Sequence, residues 1–167
     1  MKSKTKKIAI LGVLTSVALV LSYLEAIIPP IYSAVPGIKV GLPNIVIILV
    51  LYRFGFKQAI SVSLMRVFIV ALLFGNAMTL AYSLSGAILS LLAMVLFRRI
   101  DKFSQVGVSI IGGVMHNLGQ VLVAIVLLHS TLIGYYMLIL TFTGTLAGVV
   151  VGIAGSLLTR RLEKVKM

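Results

Sequence analysis

The sequence predicts an all-α integral membrane protein of six transmembrane helices, forming one domain over residues 1–167. Hydrophobic residues make up 60% of the chain and charged residues 11%, a balance foreign to a soluble domain. Mean hydropathy is +1.20. The apolar residues fall into runs separated by short loops, and most runs reach the ~20 residues that a helix needs to cross a bilayer. The net charge of +12 comes from short clusters between those runs. That is the positive-inside pattern, so nucleic acid is not an expected partner.

The first run covers residues 8–28 and follows Lys2, Lys4, Lys6 and Lys7. It is too long for a signal-peptide core and shows no small-residue cleavage site, so it reads as a retained helix. Pro29-Pro30 ends it, because proline cannot continue the hydrogen-bond ladder. Residues 31–41 read as a loop with Pro36-Gly37 and Lys39. The second run, 40–52, is short for a crossing, at roughly 13–15 residues against the usual ~20. Either it crosses where the bilayer is thinned, or Gly41-Leu42-Pro43-Asn44 is irregular backbone lining a cavity. Arg53-Phe54-Gly55-Phe56-Lys57 is a tight basic turn. The third run ends near Phe74, Gly75-Asn76 is a turn, and the fourth run covers 78–97. Arg98, Arg99, Asp101 and Lys102 form the next loop. The fifth run covers 106–128, residues 130–134 turn the chain, and the sixth covers 135–158. Arg160, Arg161, Lys164 and Lys166 follow it.

The fifth run carries strongly polar side chains in Gly112-Gly113-Val114-Met115-His116-Asn117-Leu118-Gly119-Gln120. On a helix His116, Asn117 and Gln120 share one face, being three and four residues apart. Polar groups at membrane depth are costly and face a bundle interior or a water-filled cavity. The set reads either as satisfied interior groups or as a ligand-facing surface. Arg66 lies near the middle of the third run, where an arginine costs at least ~2.5–3.5 kcal/mol. Glu25 is placed toward the outer end of the first run, so no acidic partner is expected at the depth of Arg66. Arg66 therefore either braces helices through backbone carbonyls or meets an anionic or carbonyl-rich ligand. Asn44 either satisfies free N–H groups at a helix start or joins the same site. Arg66, His116, Asn117 and Gln120 are expected to converge on one cavity that takes a small neutral or anionic molecule. Tyr23, Tyr32, Tyr82, Tyr135 and Tyr136 map to the outer half, as an aromatic belt or, for one or two, as a stacking surface.

Small residues form two stripes. Gly144, Gly148, Gly152 and Ser156 are four apart, and so are Gly12 and Ser16. Such stripes let helices approach closely in lipid, either within this chain or against another subunit. No catalytic set is visible. The chain has no Cys and two His, and its three acidic residues are scattered. Mg²⁺ chemistry on phosphates generally needs carboxylates to hold the metal, and no Walker motif is present. The expectation is a protein without enzymatic activity, cofactor or metal site.

Four series carry a resemblance: Pro36-Gly37-Ile38-Lys39-Val40-Gly41-Leu42-Pro43-Asn44, Tyr52-Arg53-Phe54-Gly55-Phe56-Lys57, Ser63-Leu64-Met65-Arg66 and His116-Asn117-Leu118-Gly119-Gln120. Together they resemble the bacterial membrane family of Gx transporters, whose members are often labelled heptaprenyl diphosphate synthase component I. The resemblance covers nearly the whole chain, and the histidine series is its most specific part. That family is in turn similar to the substrate-binding S components of energy-coupling factor (ECF) vitamin transporters. The resemblance implies a six-helix protein of the bacterial plasma membrane. It also implies binding of a vitamin-, flavin-, quinone-precursor- or isoprenoid-like molecule near the outer face and its delivery inward by toppling. The implied partners are a transmembrane T subunit and two ATPases. S components often carry Ala-x-x-x-Ala in the first helix as the T-subunit contact, and the nearest match here is Gly12-x-x-x-Ser16. The synthase label implies a second role, a non-catalytic membrane subunit associated with heptaprenyl or polyprenyl diphosphate synthesis. Prenyl synthases rely on Asp-rich Mg²⁺ motifs, and Asp101 is the only Asp in the chain.

Every Lys and Arg except Lys39 and Arg66 gathers on the side of the two termini, which is then expected to be cytoplasmic. In a chain free of cysteine, Ser33→Cys should react with a membrane-impermeant maleimide from outside intact cells. Reaction only after permeabilisation would reverse the topology.

Overall fold

The computed structural model describes residues 2–27 and 41–164. They form α1 (Lys2–Ile27), α2 (Asn44–Phe54), α3 (Phe56–Phe74), α4 (Ala77–Arg98), α5 (Gln105–Leu128) and α6 (Met137–Lys164), with a 3₁₀ segment (Thr131–Tyr136) leading into α6. No strand occurs among the described residues. The fold is the expected all-α one, and the chain is a multi-pass membrane protein. Among the described residues five helices are long and apolar enough to cross a membrane, and α2 is the shorter apolar one. The expected stop at Pro29-Pro30, Tyr32 and the loop carrying Lys39 lie outside the described residues.

The core is built around α2. Eleven residues give a helix of about 16 Å, against a hydrocarbon core of ~30 Å. Val46, Ile47, Ile48, Leu49, Val50 and Leu51 are all buried, so this helix is apolar all round and enclosed by its neighbours. It packs against α1, α3 and α6. Its start is irregular, with a turn over residues 42–43 leading into the helix. The N–H groups of Asn44, Ile45 and Val46 donate to the carbonyls of Gly41, Leu42 and Pro43 at 2.9, 3.1 and 3.0 Å. Gly41 has φ 86°, and a Cβ there would stand 2.8 Å from Asn44 Nδ2, so only glycine fits. At the other end Gly55, with φ 96°, turns the chain into α3. Arg98 of α4 donates to the Leu51 and Tyr52 carbonyls at 2.5 and 3.5 Å and covers the Tyr52 ring at 4.8 Å. Those carbonyls are among the groups that a helix C-terminus leaves unbonded.

α5 lies between α4 and α6 and packs against both. The small-residue stripe of α6 faces α5. A Cβ on Gly148 would fall 2.5 Å from Ile110 Cα, and one on Gly152 would fall 2.8 Å from Val106 Cα. Gly144 meets Gly113 and Asn117 in the same way. The glycines of this stripe are therefore spent within the chain, while the Ser156 hydroxyl donates to the Ile153 carbonyl of its own helix. Tyr23, Tyr135 and Tyr136 are exposed, as a belt requires, whereas Tyr82 is buried. The 3₁₀ segment replaces a simple turn over 130–134 and delays α6 by two residues.

Gly148→Leu should force α6 off α5 and cost about 1–3 kcal/mol or more, as overpacking does. The check is a lower thermal midpoint of the purified protein in detergent. An unchanged midpoint would mean that the two backbones do not meet there.

Candidate ligand-binding interior

The polar series on α5 is buried throughout: His116, Asn117 and Gln120 are each nine-tenths or more shielded. α4 closes over it through small residues. A Cβ on Gly86 would stand 2.9 Å from His116 Cε1, and one on Gly119 would stand 2.8 Å from the Ser85 carbonyl oxygen. The Ser85 hydroxyl donates to the Gly119 carbonyl at 3.0 Å. On the side of α6, Asn117 Nδ2 donates to the Leu140 carbonyl at 2.8 Å, which also accepts from Thr143 Oγ1 at 3.2 Å. Asn117 is thus a strut between α5 and α6 near the start of α6. His116 and Gln120 each have an interaction partner as well.

Arg66 sits on the buried face of α3 with Ala59, Val62, Ser63 and Val67. It is 8% exposed, and Glu25 of α1 is 7% exposed. No acidic partner is expected at the depth of Arg66, yet the charge of Glu25 acts on it from α1. Counting positions along two helix axes ignores the reach of the side chains, and α1 lies directly against α3. Glu25 Oε1 also accepts the Gly41 N–H. One carboxylate therefore links the end of α1, the backbone leading into α2 and the cation on α3. The Nε and Nη2 groups of Arg66 have no hydrogen-bond partner among the described residues. A buried donor left unmade costs about 1–3 kcal/mol, more when charged.

Asn44 opens α2, which has Pro43 at its N-cap and no side-chain cap. Asn44 lines a cavity of about 10 Å³ with Ser90, Met94, Ser109, Gly112 and Gly148, room for about one water. Arg66, His116, Asn117 and Gln120 do not line it. Ser90 is 2% exposed and its hydroxyl has no partner among the described residues. The sequence reading missed Ser85, Gly86 and Ser90. Their signal was the run of small residues in the fourth apolar stretch, at the spacing that lets another helix's polar face come close. Among the described residues no group of three or more His, Cys, Asp or Glu side chains comes together as a metal site would need.

Gly12 and Ser16 lie on the exposed side of α1. A Cβ on Gly12 would meet no atom within 4 Å, and the Ser16 hydroxyl donates to the Gly12 carbonyl at 3.1 Å. The opposite side of α1, with Thr15, Ala18, Ser22 and Glu25, is the buried one.

Asn117→Ala should remove the strut and leave two helices less firmly joined. The expected loss is about 1 kcal/mol, the usual scale for a hydrogen bond between membrane helices. Chemical unfolding in mixed micelles measures it, and a loss near zero would show that Thr143 alone satisfies the Leu140 carbonyl.

No curated protein and no solved structure matches the chain. Residues 14–158 match the family described as heptaprenyl diphosphate synthase component I. That match covers most of the 167 residues, and the protein belongs to this family, the one that the four sequence series resemble.

Proposed function

We propose that this protein is the substrate-binding, S component-like membrane subunit of an energy-coupling factor type uptake transporter, and not an enzyme. Its ligand is a small vitamin-, flavin- or quinone-precursor-like molecule. The observation that carries this reading is the polar interior of α3, α4 and α5. There Arg66 and Ser90 keep hydrogen-bonding capacity that packing has not used. A bundle that only scaffolds other proteins gains nothing from buried donors of that kind. Glu25, a buried carboxylate, accepts the Gly41 N–H and acts on Arg66 through charge, which suits a structural charge better than a catalytic one. The uncovered Gly12–Ser16 side of α1 is the proposed seat of the T subunit, which recruits two ATPases. The protein sits in the plasma membrane with both termini in the cytoplasm, as the positive-inside pattern suggests.

The family description favours a second reading, a non-catalytic membrane subunit associated with heptaprenyl or polyprenyl diphosphate synthesis. Affinity purification of the tagged full chain separates the two. Two ATPases with a transmembrane T subunit support transport, whereas a soluble prenyl synthase supports the second reading. Gly12→Leu should abolish the transport complex while the isolated protein keeps its thermal midpoint. A complex that survives this substitution would place the docking face elsewhere.

A further inference from the structure

Arg66 offers more than a positive charge. The guanidinium is planar, and its Nε and Nη2 groups lie along one edge with both N–H bonds pointing the same way. That edge matches the two oxygens of a carboxylate or the paired oxygens of a phosphate. In this protein the two atoms of that edge are the ones that are buried without a hydrogen-bond partner among the described residues. Glu25 does not fill it. Its Oε1 accepts the Gly41 N–H, so the carboxylate acts on Arg66 through charge while bonded to backbone.

We propose that the Nε–Nη2 edge of Arg66 is the seat of an oxyanion group with two adjacent acceptor oxygens, and that Glu25 is the resident counter-charge that sets its selectivity. This deepens the ligand-binding reading above and rests on it. Because the charge of Glu25 already acts on Arg66, an entering anion adds further negative charge to a dry interior. The site therefore favours a single negative charge, as on a carboxylate or a phosphate diester, over a dianion. The oxyanion belongs either to a soluble molecule or to a lipid headgroup.

The test uses the full chain in a maltoside detergent, which carries no oxyanion. Thermal midpoints are measured with sodium acetate, with inorganic phosphate, with chloride at equal ionic strength, and with phosphatidylglycerol added to the micelles. Acetate or phosphate should raise the midpoint above chloride if the oxyanion is soluble. A rise with phosphatidylglycerol alone assigns it to a headgroup. Arg66→Lys keeps the charge facing Glu25 but not the paired edge, and should lose the response. Glu25→Gln removes the competing charge and should enlarge it. A wild-type protein without response in any arm, or an Arg66→Lys protein that responds like wild type, overturns the proposal. Should Arg66→Lys not fold, Glu25→Gln decides, and a response no larger than that of wild type overturns it. The outcome is independent of co-purification. A missing anion response leaves a complex with ATPases intact as evidence for transport, and a missing complex leaves a measured anion response standing.

Discussion

The close backbone contact of α5 with both neighbours is the constraint on which the rest of the structure depends. In lipid, helices are not driven together by the hydrophobic effect, so short interhelical distances and hydrogen bonds must hold them. Here α5 presents Gly112 and Gly119 toward α4 and Gly113 toward α6, and α6 answers with Gly144, Gly148 and Gly152. Each of these positions is filled, up to the missing Cβ, by an atom of the facing helix. This packing decides where His116, Asn117 and Gln120 can be. They lie on a helix gripped from two sides, and the burial that makes them costly is relieved in part by the Asn117–Leu140 bond.

A second constraint is the short central helix. α2 buries almost its whole apolar surface, so its polar groups are confined to its two ends. Each end is met by a charged side chain from another helix. Arg98 receives the carbonyls at the C-terminal end, and Glu25 holds the Gly41 N–H ahead of the N-terminal end. Opposite charges stand where opposite backbone groups need them. Glu25 then passes its influence to Arg66, so the one cation in the middle of a long apolar stretch is tied to the entry of the central helix. A buried pair of this kind is weak evidence for stability by itself. Its meaning lies in the donors of Arg66 that the pair leaves unused.

Much of this was legible in the sequence because hydropathy reports burial in lipid directly. The apolar runs located all six helices, although α1 begins six residues before its run and α6 ends six residues after its own, in the flanking basic clusters. The length of 40–52 announced that α2 differs from the others. The periodic glycines announced close packing but not its partner. That α6 meets α5 and not another subunit depends on tertiary placement, which a four-residue spacing does not encode. The influence of Glu25 on Arg66 was missed for a similar reason. Depth along a helix can be counted, whereas the reach of two long side chains between touching helices cannot. The shared face of His116, Asn117 and Gln120 was readable, yet the division of labour within it was not. Asn117 bonds to α6 while His116 meets α4, and only the positions of the flanking helices separate those roles. The roles of Ser85, Gly86 and Ser90 were hidden because small residues in an apolar run carry no polarity signal strong enough to stand out.

α1 carries both a buried and an uncovered side. One of its sides carries Thr15, Ala18, Ser22 and Glu25 into the bundle, and the other leaves Gly12 and Ser16 uncovered. Nine residues separate Ser16 from Glu25, about 14 Å along a rigid helix. A rigid helix transmits rotation and tilt over that distance without loss. Any occupant that competes for Arg66 changes the charge facing Glu25, and Glu25 is fixed to the same helix as the proposed docking side. The geometry thus connects the proposed ligand seat and the proposed docking side through one element, with no chain of intermediate side chains required. Coupling of two sites needs a differential interaction with two arrangements of that element. The influence of the Glu25 charge on Arg66 is the interaction whose strength an oxyanion would alter.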